Sequence, residues 1–105
     1  MLTLKAHPTL KDLQEYVQSL EEERGFSQDP ILQKCLLLGE EIGELFKAIR
    51  KFEKLKIDET SHATSIEEEL ADILIYIAAI ANRYQIDLEA AFRAKEEINK
   101  TRHWK

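Results

Sequence analysis

The apolar positions of this chain recur at helical spacing in four separate stretches, and no stretch alternates as a strand does. Leu10, Leu13, Val17 and Leu20 recur three or four residues apart, with Tyr16 beside them. Thr9 offers an N-cap and Gly25 a stop, so the spacing predicts a first helix ending near Arg24. Residues 1–8, closed by Pro8, read as a short extended arm, and Phe26-Ser27-Gln28 as a connector. Asp29-Pro30 predicts the second start, with the acid as N-cap and proline at the first helical position. That helix carries Ile31, Leu32, Cys35, Leu36, Leu38, Ile42, Leu45, Phe46, Ile49 and Phe52, and runs to about Phe52. Gly39 and Gly43 each cost about 1 kcal/mol against alanine in a helix interior. They lie on one side, where either a neighbour approaches closely or the glycines are simply tolerated.

The period is lost over residues 53–64, a polar loop. Ser65 and Glu68 then form a capping-box pattern that opens a third helix. Ile66, Leu70, Ile73, Leu74, Ile77, Ile80 and Ala81 make its apolar stripe, and Ile75, Tyr76, Ala78 and Ala79 extend it nearly all round. Such a helix is central, or buried also against a partner subunit. Asn82 to Ile86 break the pattern and Asp87 caps a fourth helix, with Leu88, Ala91, Phe92, Lys95 and Ile98 as its inner face. The expected fold is all-α, a four-helix bundle that assembles as a homo-oligomer. At 105 residues the chain reads as one domain, able to bury about 65% of its unfolded surface.

Composition narrows the function. The chain is 44% hydrophobic and 33% charged, the balance of a soluble globular protein. Its longest apolar run, Ile73 to Ala81, is shorter than the ~20 residues a membrane span needs. No N-terminal stretch combines a basic start, an apolar run and a small-residue cleavage site, so a cytoplasmic protein is expected. The single cysteine, Cys35, has no internal disulfide partner and reads as core filler. A net charge of −5 argues against a nucleic-acid-binding surface. Basic residues nevertheless gather at Lys47, Arg50, Lys51, Lys54 and Lys56, and again at Arg93, Lys95, Lys100, Arg102 and Lys105. These are either solvated faces or a setting for a small, highly charged ligand.

The chemistry gathers in two acidic clusters inside the most apolar helices. Gly39-Glu40-Glu41-Ile42-Gly43-Glu44-Leu45 pairs Glu41 with Glu44, and Glu67-Glu68-Glu69-Leu70-Ala71-Asp72 pairs Glu69 with Asp72. Residues three apart on a helix lie about 60° and 4.5 Å apart, so each pair points from one face. Four carboxylates packed between helices repel one another unless a cation compensates, and Mg2+ suits carboxylate-plus-water coordination. A di-iron bundle would need Glu-x-x-His on two helices, and only Glu59-Thr60-Ser61-His62 matches, within the loop. His7 and His103 lie near the ends, so neither catalytic zinc nor a histidine-activated nucleophile is favoured.

Glu40-Glu41-x-x-Glu44, then 24 residues, then Glu69-x-x-Asp72 resembles the MazG-type nucleoside triphosphate pyrophosphohydrolases. That all-α family includes the dimeric dUTPases and the dCTP pyrophosphatases. The likeness covers roughly residues 10–102, through Glu-Glu-Ile-Gly-Glu-Leu in the second helix and Glu-Glu-Leu-Ala-Asp-Ile-Leu-Ile-Tyr in the third. It implies Glu41, Glu44, Glu69 and Asp72 as Mg2+ ligands, with Mn2+ as a substitute, and Glu40 as support or a water-positioning group. It also implies nucleotide contacts for Tyr76, phosphate or sugar contacts for Lys95 and Asn99, and Phe26 as a base-cradling aromatic. The implied reaction is attack of water on the α-phosphorus of a deoxynucleoside triphosphate, releasing monophosphate and pyrophosphate, with Glu40 or Glu44 as general base. Pool cleansing or balancing would be its purpose, and a homodimer or dimer of dimers its assembly. The competing reading is a non-catalytic helical interaction module that docks through the third helix.

Overall fold

Side-chain caps set the helix starts. In α1 (Leu10–Arg24) the Thr9 hydroxyl accepts from the Asp12 N–H at 3.1 Å, and the Asp12 carboxylate accepts from the Thr9 N–H at 2.9 Å. This closed box satisfies two donors that a helix start otherwise leaves unpaired. Gly25 ends α1 at φ 78, a left-handed conformation that a Cβ would strain. In α3 (Ile66–Arg83) the Ser65 hydroxyl accepts from the Glu68 N–H at 3.1 Å. Asp87 opens α4 (Leu88–Lys100) by accepting from the Ala90 N–H at 3.2 Å.

The start of α2 (Ile31–Phe52) differs from expectation. Pro30, not Asp29, is the N-cap residue, at ψ 140, and it has no side chain able to cap. The extended ψ keeps Pro30 outside the helix, while its carbonyl accepts from Gln33 and Lys34 at 3.0 and 3.3 Å. The Asp29 side chain is thereby free to line a cleft instead.

The structure is a computed structural model that describes residues 2–58, 60, 62 and 64–103, all four helices included, with no strand among them. Glu59, Ser61 and Ala63 of the loop lie outside the described residues, as do Met1, Trp104 and Lys105. The Glu59–His62 motif is therefore only half described, and His62 is exposed in non-helical backbone.

The third helix is the central one, packing against both α1 and α2, while α4 packs on α1. Val17 and Leu20 of α1 meet Ala78 and Ala79 of α3, with Leu2, Tyr16 and Leu88 around them. Alanines at that crossing let the helix axes approach closely, so a small core still excludes water. Beside it the buried Gln14 side chain donates to Asn82 Oδ1 (3.2 Å) and the Ile86 carbonyl (2.8 Å), and accepts from the Leu88 N–H (2.9 Å). Asn82 returns a bond to the Gln14 carbonyl at 2.9 Å. A buried amide with every group engaged fixes one register between α1 and the α3–α4 turn.

Elsewhere the apolar surface is unpacked. No residue of α4 is buried, and Phe92 on its expected inner face is 69% exposed. Leu36 in α2 is 76% exposed, and Cys35 is exposed too, not core filler. A Cβ added at Gly39 or Gly43 would meet nothing within 4 Å, so no neighbour among the described residues requires either glycine. The radius of gyration is 16.5 Å, against about 13 Å for a compact domain of this length. Among the described residues, no helix is long and apolar enough to cross a membrane.

Candidate metal centre and adjoining cleft

Glu41 sits midway along α2, and Glu69 and Asp72 occupy the first two turns of α3. The two helices run antiparallel, since Lys34 and Leu37 share a cleft with Ile75, Tyr76 and Ala79 while Glu41 meets Glu69 and Asp72. One carboxylate oxygen from each of Glu41, Glu69 and Asp72 lies within 4.8 Å of the other two. Glu69 is 3% exposed, Glu41 half-buried and Asp72 exposed, so the group opens to solvent on one side. Thr64 Oγ1 donates to Glu69 Oε1, which turns the buried carboxylate toward its neighbours. The N-terminal end of α3 favours negative charge, offsetting part of the cost of collecting acids there.

Electrostatics in this group are under-compensated. Glu69 Oε2 is buried and accepts no hydrogen bond among the described residues. Hydrogen bonding to Glu69 pushes the Glu41 carboxyl up to about 7, helped by burial and by the charges of Glu69, Asp72 and Glu40. With all three carboxyls ionised that hydrogen bond has no proton, so the same contact becomes repulsive. A hard divalent cation would supply the charge that the shared proton otherwise supplies, and an all-oxygen donor set suits Mg2+ or Mn2+.

The other expected site residues divide into two sets. Glu40 is exposed beside the group, and its charge reaches Glu41 and Tyr76. Glu44, one turn along, stands outside the three-acid group with Oε2 3.9 Å from Lys47 Nζ. Tyr76 lies one turn beyond Asp72; burial first, then the charges of Glu41, Asp72, Glu40 and Glu21, raise its phenol above the ordinary value. Lys95 and Asn99 line a different cleft of about 370 Å³, with Leu10, Leu74 and Phe92, and not the acids of their own chain.

A second cleft, about 270 Å³, runs from Asp72 past Tyr76 to Glu21, Lys34 and Phe26. Phe26 is 44% exposed at its rim. The Phe26 N–H donates to the Glu21 carbonyl at 2.7 Å, and Arg83 donates to the Phe26 carbonyl at 3.1 Å, so Phe26 is held at both of its backbone groups. Lys34 and Glu21 form an ion pair whose side chains are 5% and 7% exposed. The Lys34 ammonium also lies 5.3 Å from the centre of the Phe26 ring.

Sequence reasoning missed Glu21, Lys34, Thr64 and Arg83. One signal for Lys34 was present: positions 34, 41 and 48 share a helix face, and Ala48 is buried beside the acid stripe.

Residues 32–105 match the MazG nucleotide pyrophosphohydrolase domain. The chain is 33% identical over 105 residues to dCTP pyrophosphatase 1 of Homo sapiens, covering 91% of this chain and 59% of that protein. Against dCTP pyrophosphatase 1 of Bos taurus the identity is 31% over 110 residues, with 96% and 63% covered. The chain thus spans about three fifths of those two relatives, 59% and 63% of their lengths. The uncharacterized protein YvdC of Bacillus subtilis is 30% identical over 95 residues, with 84% of this chain and 90% of that protein covered. The matched span holds all three acids of the cluster and the helices that bring them together, and the chain belongs to the MazG nucleotide pyrophosphohydrolase family.

Proposed function

We propose that the chain is a Mg2+-dependent nucleoside triphosphate pyrophosphohydrolase, a single MazG-like domain over residues 1–105 acting on deoxynucleotides to cleanse or balance their pool. The observation that carries this reading is the buried Glu69 Oε2, without a hydrogen bond among the described residues, inside a three-acid group that adjoins an open cleft. The relatives' names make dCTP the first substrate to test.

In this reading Glu41, Glu69 and Asp72 hold the cation, and Glu44 joins them by leaving Lys47. When bound, Mg2+ neutralises charge on the triphosphate and lowers the pKa of the attacking water. Glu40 has no ion-pair partner among the described residues, whereas Glu44 has Lys47, so Glu40 is the better-supplied general base. It takes the proton as water oxygen bonds to the α-phosphorus and the bond to the bridging oxygen breaks, leaving a nucleoside monophosphate and pyrophosphate. Tyr76 lies along the path from the acids to Phe26 and lines the nucleotide's course, and Phe26 offers its ring to the base.

Assembly is part of the same proposal. The chain exposes 8428 Å², against about 6,100 Å² for a compact monomer of 12.2 kDa. Large apolar residues stand exposed along α2, α3 and α4. We read these faces as the contacts of a homodimer, or a dimer of dimers, in which Lys95 and Asn99 serve the site of another copy. A stable, active monomer by light scattering at micromolar concentration would refute this part.

The decisive assay measures pyrophosphate and orthophosphate separately over a panel of nucleoside triphosphates, with and without Mg2+. Pyrophosphate release that needs the metal is expected. Orthophosphate as the first product would reject attack at the α-phosphorus. No turnover of any nucleotide would favour the interaction module, for which the exposed apolar faces are the docking surface.

A further inference from the structure

We propose that the buried Glu21–Lys34 pair reads the hydrogen-bonding edge of the nucleobase and so sets base preference, an inference that rests on the pyrophosphohydrolase reading. Both side chains are more than nine-tenths buried, yet both line the 270 Å³ cleft that begins at Asp72. Glu21 Oε2 touches the Lys34 ammonium but accepts no directed hydrogen bond among the described residues. The carboxylate has two acceptor oxygens and the ammonium three donors, so their single ion-pair contact does not use up either group.

Net charge decides which part of a nucleotide belongs there. A lysine already neutralised by a buried glutamate has little charge left for a triphosphate. The three-acid group, by contrast, meets the cleft at Asp72, and in the proposed reading it takes a cation, the natural companion of phosphate groups. Tyr76 feels the charges of Glu41, Asp72 and Glu40 as well as that of Glu21, so it stands between the two ends. A nucleotide spanning the cleft therefore sets its phosphates by the acids and its uncharged base by Glu21, Lys34 and Phe26. Every base presents an N–H donor beside an acceptor on its pairing edge, but the amino-bearing and oxo-bearing bases place the two in opposite order. An acceptor-only carboxylate and a donor-only ammonium match that pattern in one orientation. For cytosine, Glu21 accepts from the exocyclic amino group while Lys34 donates to the ring nitrogen or the 2-oxo group. For a 4-oxo pyrimidine, Glu21 takes the ring N–H and Lys34 the 4-oxo group.

The test measures kcat/KM for dATP, dCTP, dGTP, dTTP and dUTP on the wild type and on Glu21→Gln, Lys34→Met, Lys34→Arg and the neutral double variant Glu21→Gln/Lys34→Gln. The wild type should prefer one base. Each uncharged variant should shrink the ratio of best to worst base roughly 10- to 100-fold, the worth of a hydrogen bond to a charged group. Lys34→Arg, which keeps the donors, should retain most of the ratio. The Mg2+-induced rise in melting temperature should persist in all of them, because the acid end is untouched. Equal loss on every base, or a wild type indifferent to the base, would overturn the proposal and leave the pair a structural strut. The double variant guards against misfolding, since neither partner is left as an unpaired charge. If the wild type turns over no nucleotide, the pyrophosphohydrolase reading fails on its own. Calorimetric titration with dCMP and dTMP then decides this one: base-selective binding that Glu21→Gln levels would support it, and indifference would sink it.

Discussion

The two ends of the cleft handle buried acid in opposite ways. At one, Glu21 sits beneath Lys34 and its charge is cancelled from within the chain. At the other, Glu41, Glu69 and Asp72 face one another, and among the described residues no cation joins them, so the Thr64 hydroxyl, the start of α3 and a proton on Glu41 share the relief. Both sets lie on the same helices, or on elements packed against them, and both include a side chain under a tenth exposed. Beyond the greater exposure of Glu41 and Asp72, the ends differ in the source of the counter-charge. Among the described residues the fold supplies a lysine at one end and none at the other, and in the proposed reading the second site takes its counter-charge from a cation in solution.

Removing acids should break this comparison most visibly. Glu41→Gln, Glu69→Gln and Asp72→Asn should each lower pyrophosphate release about 10²–10³-fold, as loss of a charge-stabilising group does. They should also erase the melting shift caused by Mg2+. Glu44→Gln belongs with them if Glu44 swings from Lys47 to the cation. Glu22→Gln and Glu97→Gln, both on exposed faces, should be nearly silent. An Asp72→Asn protein with wild-type turnover and Mg2+ stabilisation would end the metal assignment.

Stability in EDTA should separate the ends by sign. Lys34→Met strands the buried Glu21 charge and should cost about 3–5 kcal/mol in denaturant melts. Glu69→Gln relieves repulsion and should leave the metal-free protein as stable as wild type, or more so. If both variants are destabilised equally, the contrast is wrong.

A smaller effect comes from pH. Glu41 is held at about 7 in the folded protein, above its ordinary 4.5. Its contribution to metal-free stability is thus fully present below about 4.5 and fades as pH rises through about 7. Melting temperature in EDTA should fall across that window, and Mg2+ affinity should rise over it as the competing proton leaves. A Glu41→Gln variant should flatten both curves.

The smallest expected change is at the glycines. Gly43→Ala meets no atom within 4 Å and should stabilise an isolated protomer by about 1 kcal/mol. Loss of stability or of assembly would locate a neighbouring copy against that face.

How much of this was legible in the sequence follows from how local each feature is. The caps at Thr9, Ser65 and Asp87 and the stop at Gly25 involve residues three or four apart, and all four stand where their spacing put them. The acids were legible because an i, i+3 pair reports a shared face without knowledge of the partner helix. Two things depended on tertiary contact and were hidden. Helix α2 carries more than one apolar stripe, and periodicity gives the phase of each but not which one faces its own chain. Hence Leu36 and Cys35, read as interior, are exposed, while Lys34 is buried. Glu21 likewise looked like one more surface acid in Glu21-Glu22-Glu23, because its partner lies on another helix.

The Gln14 joint has a consequence for how the chain is made. Its bonds reach Asn82, Ile86 and Leu88, which follow it by 68, 72 and 74 residues. At a synthesis rate of about 5–20 residues per second, Leu88 is added roughly 4–15 s after Gln14. Throughout that interval α1 carries an amide with no permanent partners and an apolar face with nothing to cover it. Helix α1 thus leaves the ribosome well before the residues that secure it, and until they follow it is open to aggregation or chaperone capture.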